Sequence, residues 1–195
     1  MTAFFVPPAP AEDDALDNVL HDLIAGVTGL DGSLVRPMWQ FTLAQQLEQT
    51  GNWCAFGVMS SVPDANPVVE HLFGDDITAP AGDRVIRHEE LEVLVSFYGP
   101  GAKSNVGLLR DGLAVEQNRY AARAAGLYFV DMEPARNAPD FINQQWIRRW
   151  DTSLRFRRMV ARVYGVNNIV AAEIDLLDDT GHVDRKIQVP PDGRS

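Results

Sequence analysis

The segment Gly99–Ser104 combines glycines with a Lys-Ser pair and lies between a predicted strand and a predicted helix, as a phosphate-binding loop does. Such a loop requires a glycine directly before the lysine and another five positions earlier, so that backbone amides can wrap the phosphates. Ala102 and Phe97 occupy these two positions. The sequence therefore favours a strand-ending turn and a helix N-terminus over a nucleotide site.

The run His88–Glu92 contains the His-Glu pair of zinc-protease helices, but position 92 lacks the second histidine that this motif requires. The surrounding pattern predicts a strand, on which His88, Glu90 and Glu92 share one face at steps of about 7 Å. A divalent-metal site and a solvated or interfacial acidic ridge are the two interpretations of this face. The ridge is favoured because the ligand spacing is incomplete.

The remaining residues that could take part in catalysis do not form a recognisable active-site motif. Cys54 lies in an apolar run, which is typical of a buried structural thiol, and a single cysteine fits a reducing compartment. Three further histidines have no evident partners: His21, His71 and His182. Four tryptophans favour core or interface positions over a ligand site: Trp39, Trp53, Trp146 and Trp150. We expect no catalytic residue, no metal site and no cofactor.

Charge is segregated along the chain. The 195 residues include 17 basic and 27 acidic side chains, and the net charge of −10 disfavours binding to a phosphate backbone. Six arginines fall within fifteen positions: Arg148, Arg149, Arg155, Arg157, Arg158 and Arg162. Acidic residues concentrate in the first helix and near the C-terminus. This pattern indicates plus-to-minus contacts between copies or two solvated faces, and a nucleic-acid site on the arginines is a third hypothesis.

Hydrophobic periodicity and turn residues define the elements that would position these groups. Predicted helices cover 13–30, 102–113 and 117–124, and predicted strands cover 53–62, 68–73, 84–98, 127–132, 141–164 and 169–177. Asp13 or Asp14 is expected to cap the first helix. The strand at 68–73 is expected to pair with 53–62, and 141–164 to bend near Trp150. The first half of 84–98 is polar and is expected to project beyond the core.

This order of elements predicts an α+β fold, with an antiparallel or mixed twisted β-sheet flanked by helices. Residues 1–11 are expected to form an extended arm, 12–177 a single domain and 178–195 a polar tail. No apolar run is long enough to span a bilayer, and the N-terminus lacks the pattern of a signal peptide, so no membrane is expected as a partner.

Seven segments of the chain together resemble the neck and tail terminator family of contractile-tailed phages. They are residues 34–40, 53–58, 87–93, 96–100, 109–113, 117–119 and 143–149. The resemblance implies a tail-terminator-like fold and a structural virion protein without a reaction. Such a protein assembles as a ring, typically of six copies, which caps the tail tube, stops its polymerisation and joins the tail to the head connector.

The resemblance also implies the partners and the place of action. The partners are other copies of the chain, the tail tube protein, the tail sheath and the head-tail connector or adaptor. Genomic DNA passes through the lumen without specific binding, and the protein is assembled in the host bacterial cytoplasm and lies at the virion neck. A head-completion or connector adaptor of the neck is the alternative, and a nucleotide- or metal-binding enzyme is a further one.

A ring requires heterologous contacts, in which two different patches of one subunit meet. The candidate interface residues combine the arginine-rich strand with the acidic ridge: Arg148, Arg149, Arg155, Arg157, Arg158, Glu89, Glu90 and Glu92.

Overall fold

The computed structural model describes residues 13–39, 51–72, 82–142, 144–165, 172–177 and 183–189. The helices are α1 (Asp14–Thr28), α2 (Ala102–Ala114) and α3 (Tyr120–Ala124), with 3₁₀ turns at Gly32–Leu34 and Glu116–Arg119. The strands are β1 (Val35–Pro37), β2 (Trp53–Pro63), β3 (Val68–Leu72), β4 (Gly82–Tyr98), β5 (Tyr128–Met132), β6 (Arg136–Asn137), β7 (Asp140–Ile142), β8 (Gln145–Ile147), β9 (Arg149–Gly165), β10 (Ala172–Leu177) and β11 (Val183–Val189).

The predicted α+β class is confirmed. Seven strands form a mixed sheet in the order β1-β2-β4-β9-β5, with β3 also pairing with β4 and β6 with β9. The pairing of β1 with β2 is parallel, whereas β2 pairs antiparallel with β4, and β5 with β9. Two further pairs, β7-β8 and β10-β11, form separate two-stranded sheets.

Helix α1 follows the predicted apolar stripe and ends at Gly29, whose φ of 72° is the left-handed conformation that glycine adopts without strain. Acidic residues in its first turn suit the positive end of the helix dipole. The prediction of a side-chain cap was wrong. Asp13 occupies the N-cap position with φ of 51°, and its side chain makes no capping hydrogen bond to this helix.

The core lies between the helices and one face of the sheet. Alternate residues of β4 point into it, as their spacing predicts: Leu91, Val93, Val95 and Phe97. Phe56 and Phe156 complete this layer from the neighbouring strands, and both are fully buried. Burial of each such phenylalanine contributes about 1.5–3 kcal/mol, so the sheet is fixed against the helices over several strands.

Two predicted strand arrangements were wrong. β3 pairs with residues 82–86 of β4, not with β2. The reason is length: β2 ends where Pro63 pairs with Glu89, so the earlier part of β4 offers free backbone groups to β3. The segment 141–164 is interrupted before Trp150, because a β7-β8 hairpin with Gln144 at φ of 62° precedes the continuous strand β9.

Contacts divide the chain into two compact units. The larger holds the described residues of 10–66 and 87–160, and the smaller holds those of 67–86 and 161–195. Within the smaller unit β11 pairs antiparallel with β10, so part of the segment expected to be a polar tail is a strand. The prediction for residues 1–11 lies outside the described residues. None of the described helices has the length and apolar character needed to cross a membrane.

Candidate assembly interface

Two of the predicted interface residues form an ion pair inside the larger unit. The Arg158 Nε donates to Glu89 Oε1 at 2.6 Å, and these side chains are only 10% and 3% exposed. Arg87 approaches the other carboxylate oxygen at 3.2 Å. Burial alone would raise the pKa of Glu89, but the hydrogen bond and charge of Arg158, with help from Ser61 and Arg87, hold it below its usual value. The pair therefore stabilises the subunit itself.

The next arginines of β9 also have carboxylate partners within the chain. Arg155 binds Asp131 on β5, with Nε to Oδ1 at 2.6 Å, and approaches Glu90 at 3.4 Å. Arg157 pairs with Asp64, and both members are partly exposed. The hydrogen bond from Arg155 lowers the pKa of Asp131. These pairs lie at the surface.

Arg149 joins the β7-β8 hairpin to the sheet. Its guanidinium donates to Asp151 at 2.7 Å and to Asp140 of β7 at 3.1 Å, and it lies 5.6 Å from the ring centre of Tyr98. Tyr98 in turn stacks on Trp53 at 3.9 Å. Burial opposes the charge of Arg149, but the two carboxylates raise its pKa. This residue therefore positions the hairpin, and that role was not evident from the sequence.

The acidic ridge of β4 is bound to its neighbours. Glu92 accepts hydrogen bonds from Ser153 at 3.0 Å and from Ser60 at 3.4 Å, while Glu90 faces Arg155. His88 is exposed at the same face. Across the described ranges, no group of three or more His, Cys, Asp or Glu side chains has the arrangement of a metal site.

The glycine-rich turn after β4 packs on a segment that the sequence did not connect to it. The Gly101 amide donates to Asn52 Oδ1 at 2.7 Å. A Cβ on Gly99, where φ is 98°, would lie 2.3 Å from the backbone oxygen of Gly51. Asn52 thus takes the place where an anion would meet this helix N-terminus. No spacing rule links positions 52 and 101, so only the fold shows this contact.

Beside this turn lies a groove that we name the Trp150 groove. It comprises adjoining cavities of about 560 Å³ and 250 Å³, which share Lys103 and Trp150. Arg110 lines the larger cavity and Arg148 the smaller. Lys103 Nζ lies 5.6 Å from the Trp150 ring centre. Of the predicted interface residues only Arg148 belongs to this groove; Lys103 and Arg110 were missed because the arginine-rich strand held the strongest charge signal.

Cys54 is buried in the core. Its side chain is fully inaccessible, and desolvation raises the pKa of the thiol. The structure thus places it in the core, as its apolar sequence context predicts.

The fold and these contacts describe an α+β protein in which arginine-carboxylate pairs join neighbouring strands of the sheet. A family model described as phage neck terminator protein matches residues 14–180. The chain therefore belongs to the phage neck terminator protein family, and it is a structural protein of the phage neck and hence of the virion. No curated protein matches the chain.

Proposed function

We propose that this neck protein is a tail terminator. Copies of the chain, six in number, form a ring on the finished tail tube, stop its polymerisation and join the tail to the head connector. The ring carries out no reaction and uses no cofactor. The observation that carries this proposal is the family match over residues 14–180.

The proposed partners are other copies of the chain, the tail tube protein, the sheath and the head-tail connector. Genomic DNA passes through the ring without specific binding. The net charge of −10 supports this view, because an anionic wall repels phosphates. A basic lumen in the assembled ring would contradict this part of the proposal.

The exposed members of the predicted interface set are the ones that remain available to a second copy. Arg148 is exposed, and the Arg155 and Arg157 side chains are 42% and 56% exposed. Glu89 and Arg158 are buried and bind each other, so their contribution to the interface is indirect. Surface ion pairs of this kind can exchange partners at little cost, because each is worth only about 0–1 kcal/mol.

Polymerisation of purified tail tube protein tests the terminator role. Adding the chain at a fixed time is expected to stop elongation and leave a cap density on tube ends in electron micrographs. Adding heat-unfolded chain at the same concentration serves as the control. Tubes that continue to grow at the control rate would show that the protein is not a terminator.

A cryo-EM map of the neck separates this role from that of a head-side connector adaptor. Direct contact with the last ring of the tube supports a terminator. Contact only with rings on the head side would assign the chain to the adaptor.

A further inference from the structure

The Trp150 groove is a basic surface on this acidic chain. Within the described ranges Lys103, Arg110 and Arg148 form no ion pair, although arginines elsewhere on the sheet do. The one hydrogen bond of the Arg110 side chain in this part of the chain goes to the backbone oxygen of Glu133 at 3.3 Å. Apolar side chains form the floor around Trp150: Val106, Met132, Pro134 and Ala135. The groove therefore presents cations above an apolar base.

The first turn of α1 is the opposite kind of surface. It carries Asp13, Asp14 and Asp17, and α1 contains no lysine or arginine. No described lysine or arginine forms an ion pair with these three carboxylates. Burial raises the pKa of Asp17, and the charges of Asp14 and Asp13 raise it further. A cation supplied from outside the subunit would relieve this repulsion.

This acidic turn has an apolar neighbourhood of its own. Asp13 and Asp17 border a cavity of about 300 Å³ together with Met38 and Trp39, and Trp39 is 65% exposed. The inner wall includes Arg87 and Arg158, both of which bind Glu89. Carboxylates beside an exposed tryptophan match cations above an apolar base in both charge and polarity.

The two surfaces are formed by different sets of residues within the larger unit. The cavity beside α1 is lined by Glu89 of β4, and the Trp150 groove by Gly99, which follows β4. A subunit with two different, complementary patches makes head-to-tail contacts, which close into a ring when the rotation permits.

We propose that the Trp150 groove of one copy binds the acidic first turn of α1 of the next copy. This contact rests on the proposed function in one respect, that copies of the chain associate. Lys103, Arg110 and Arg148 then meet Asp13, Asp14 and Asp17 of the neighbour, and Trp39 adds apolar contact. The contact uses two different patches, so every copy engages two neighbours.

The geometry favours a protein segment over DNA in this groove. Phosphate-backbone sites place cations along a track several phosphates long, whereas here three cations surround a tryptophan on an apolar floor. The net charge of −10 also opposes approach of a nucleic acid.

Charge reversal on each side tests the contact. Lys103→Glu/Arg110→Glu changes the groove, Asp14→Lys/Asp17→Lys changes the acidic turn, and Asp22→Lys is the control on the same helix with a 79% exposed side chain. Each double variant alone is expected to lose self-association, with a dissociation constant raised about tenfold or more. The control is expected to associate like the wild type. Mass by analytical ultracentrifugation, with circular dichroism to confirm folding, gives the readout.

Mixing the two double variants gives the distinctive result. Each variant retains one intact patch, and the two reversed patches are complementary to each other, so the mixture is expected to recover association that neither variant shows alone. A mixture that stays monomeric, or double variants that associate as strongly as the wild type, would overturn the proposal.

Gly107 allows a steric test that changes no charge. It lines the larger cavity, and a Cβ built on it meets nothing within 4 Å. Gly107→Leu is expected to fill the groove and block association while the helix is at least as stable as before, since glycine is a poor helix former. Gly107→Ala is the matched control, which improves the helix but leaves the groove open. Equal association of both variants would count against the groove.

Two measurements separate this inference from its rivals. Growing tubes with wild-type chain present would refute the terminator role, whereas tubes capped equally well by wild type and by Gly107→Leu would refute only the proposed contact. Salt-sensitive binding of a duplex DNA probe by the wild type, lost in Lys103→Glu/Arg110→Glu, would assign the groove to nucleic acid and overturn the proposal.

Discussion

Replacing Arg158 with methionine tests whether the buried ion pair holds the centre of the sheet. The substitution keeps much of the side-chain volume but removes the guanidinium that lies 2.6 Å from Glu89. A carboxylate that is 3% exposed is then left with the Ser61 hydroxyl and with Arg87, whose contact is longer at 3.2 Å. Loss of one partner of a buried pair costs about 3–5 kcal/mol. Because Arg87 remains, we expect a loss of about 3 kcal/mol in the free energy of unfolding.

The pH dependence of this loss follows from the pKa of Glu89. In the wild type the pKa is lowered, so the stability that the pair contributes is present above the unfolded pKa of about 4.3 and is lost as pH falls through the folded pKa. In Arg158→Met burial dominates and raises the pKa of Glu89 above the unfolded value. Protonation then favours the folded variant, and the difference from wild type shrinks as pH falls from 7 toward about 4.

Urea unfolding at several pH values, followed by circular dichroism, measures both effects. Arg157→Met is the matched control, because it removes a guanidinium one position earlier from a surface pair with Asp64. Its expected cost is at most about 1 kcal/mol. Equal costs for the two variants, or an Arg158→Met loss that does not change with pH, would refute the assignment of a stabilising buried pair.

Three further predictions concern packing, backbone and titration. Leu109→Ala, which opens the core, is expected to cost about 2–5 kcal/mol in urea unfolding, whereas Leu108→Ala beside it, with a 48% exposed side chain, should cost well under 1 kcal/mol. Gly99→Ala is expected to lower Tm because its Cβ would overlap a backbone oxygen. Gly26→Ala in α1 is the control: its Cβ has open space, and alanine favours a helix more than glycine does, so Tm should rise. Equal shifts in Tm would contradict the turn geometry. The pKa of His21 is raised by a hydrogen bond to the Gly32 backbone carbonyl and by the Asp22 carboxylate. The stability that protonated His21 contributes to the fold is therefore present below the unfolded pKa and is lost as pH rises through the folded pKa. His21→Ala should therefore lose more stability at pH 5 than at pH 8, and a loss independent of pH would argue against these hydrogen bonds.

Local features of the sequence predicted most of the elements. The apolar stripe of α1, the alternation in β4 and the stop at Gly99 all appear where the residues predicted them. These signals are local because helix and strand periodicities, and glycine at positive φ, depend on a few neighbouring residues. The family resemblance read from segments within 34–149 also agrees with the family that matches residues 14–180.

Only the tertiary structure determines which residues that are distant in the sequence contact one another. The cluster of arginines in β9 predicts an interface. In the fold, Arg158 binds Glu89, which lies 69 positions earlier in the chain, and both side chains are buried. The fold likewise brings Asn52 to the turn at Gly101 and gathers Lys103, Arg110 and Arg148 around Trp150. The sequence by itself therefore determined most of the elements, the family and the excess of acidic charge. Strand register and helix packing determine which charged side chains are paired within the protein and which face outward. Register and packing depend on burial of the whole core rather than on any short run of residues.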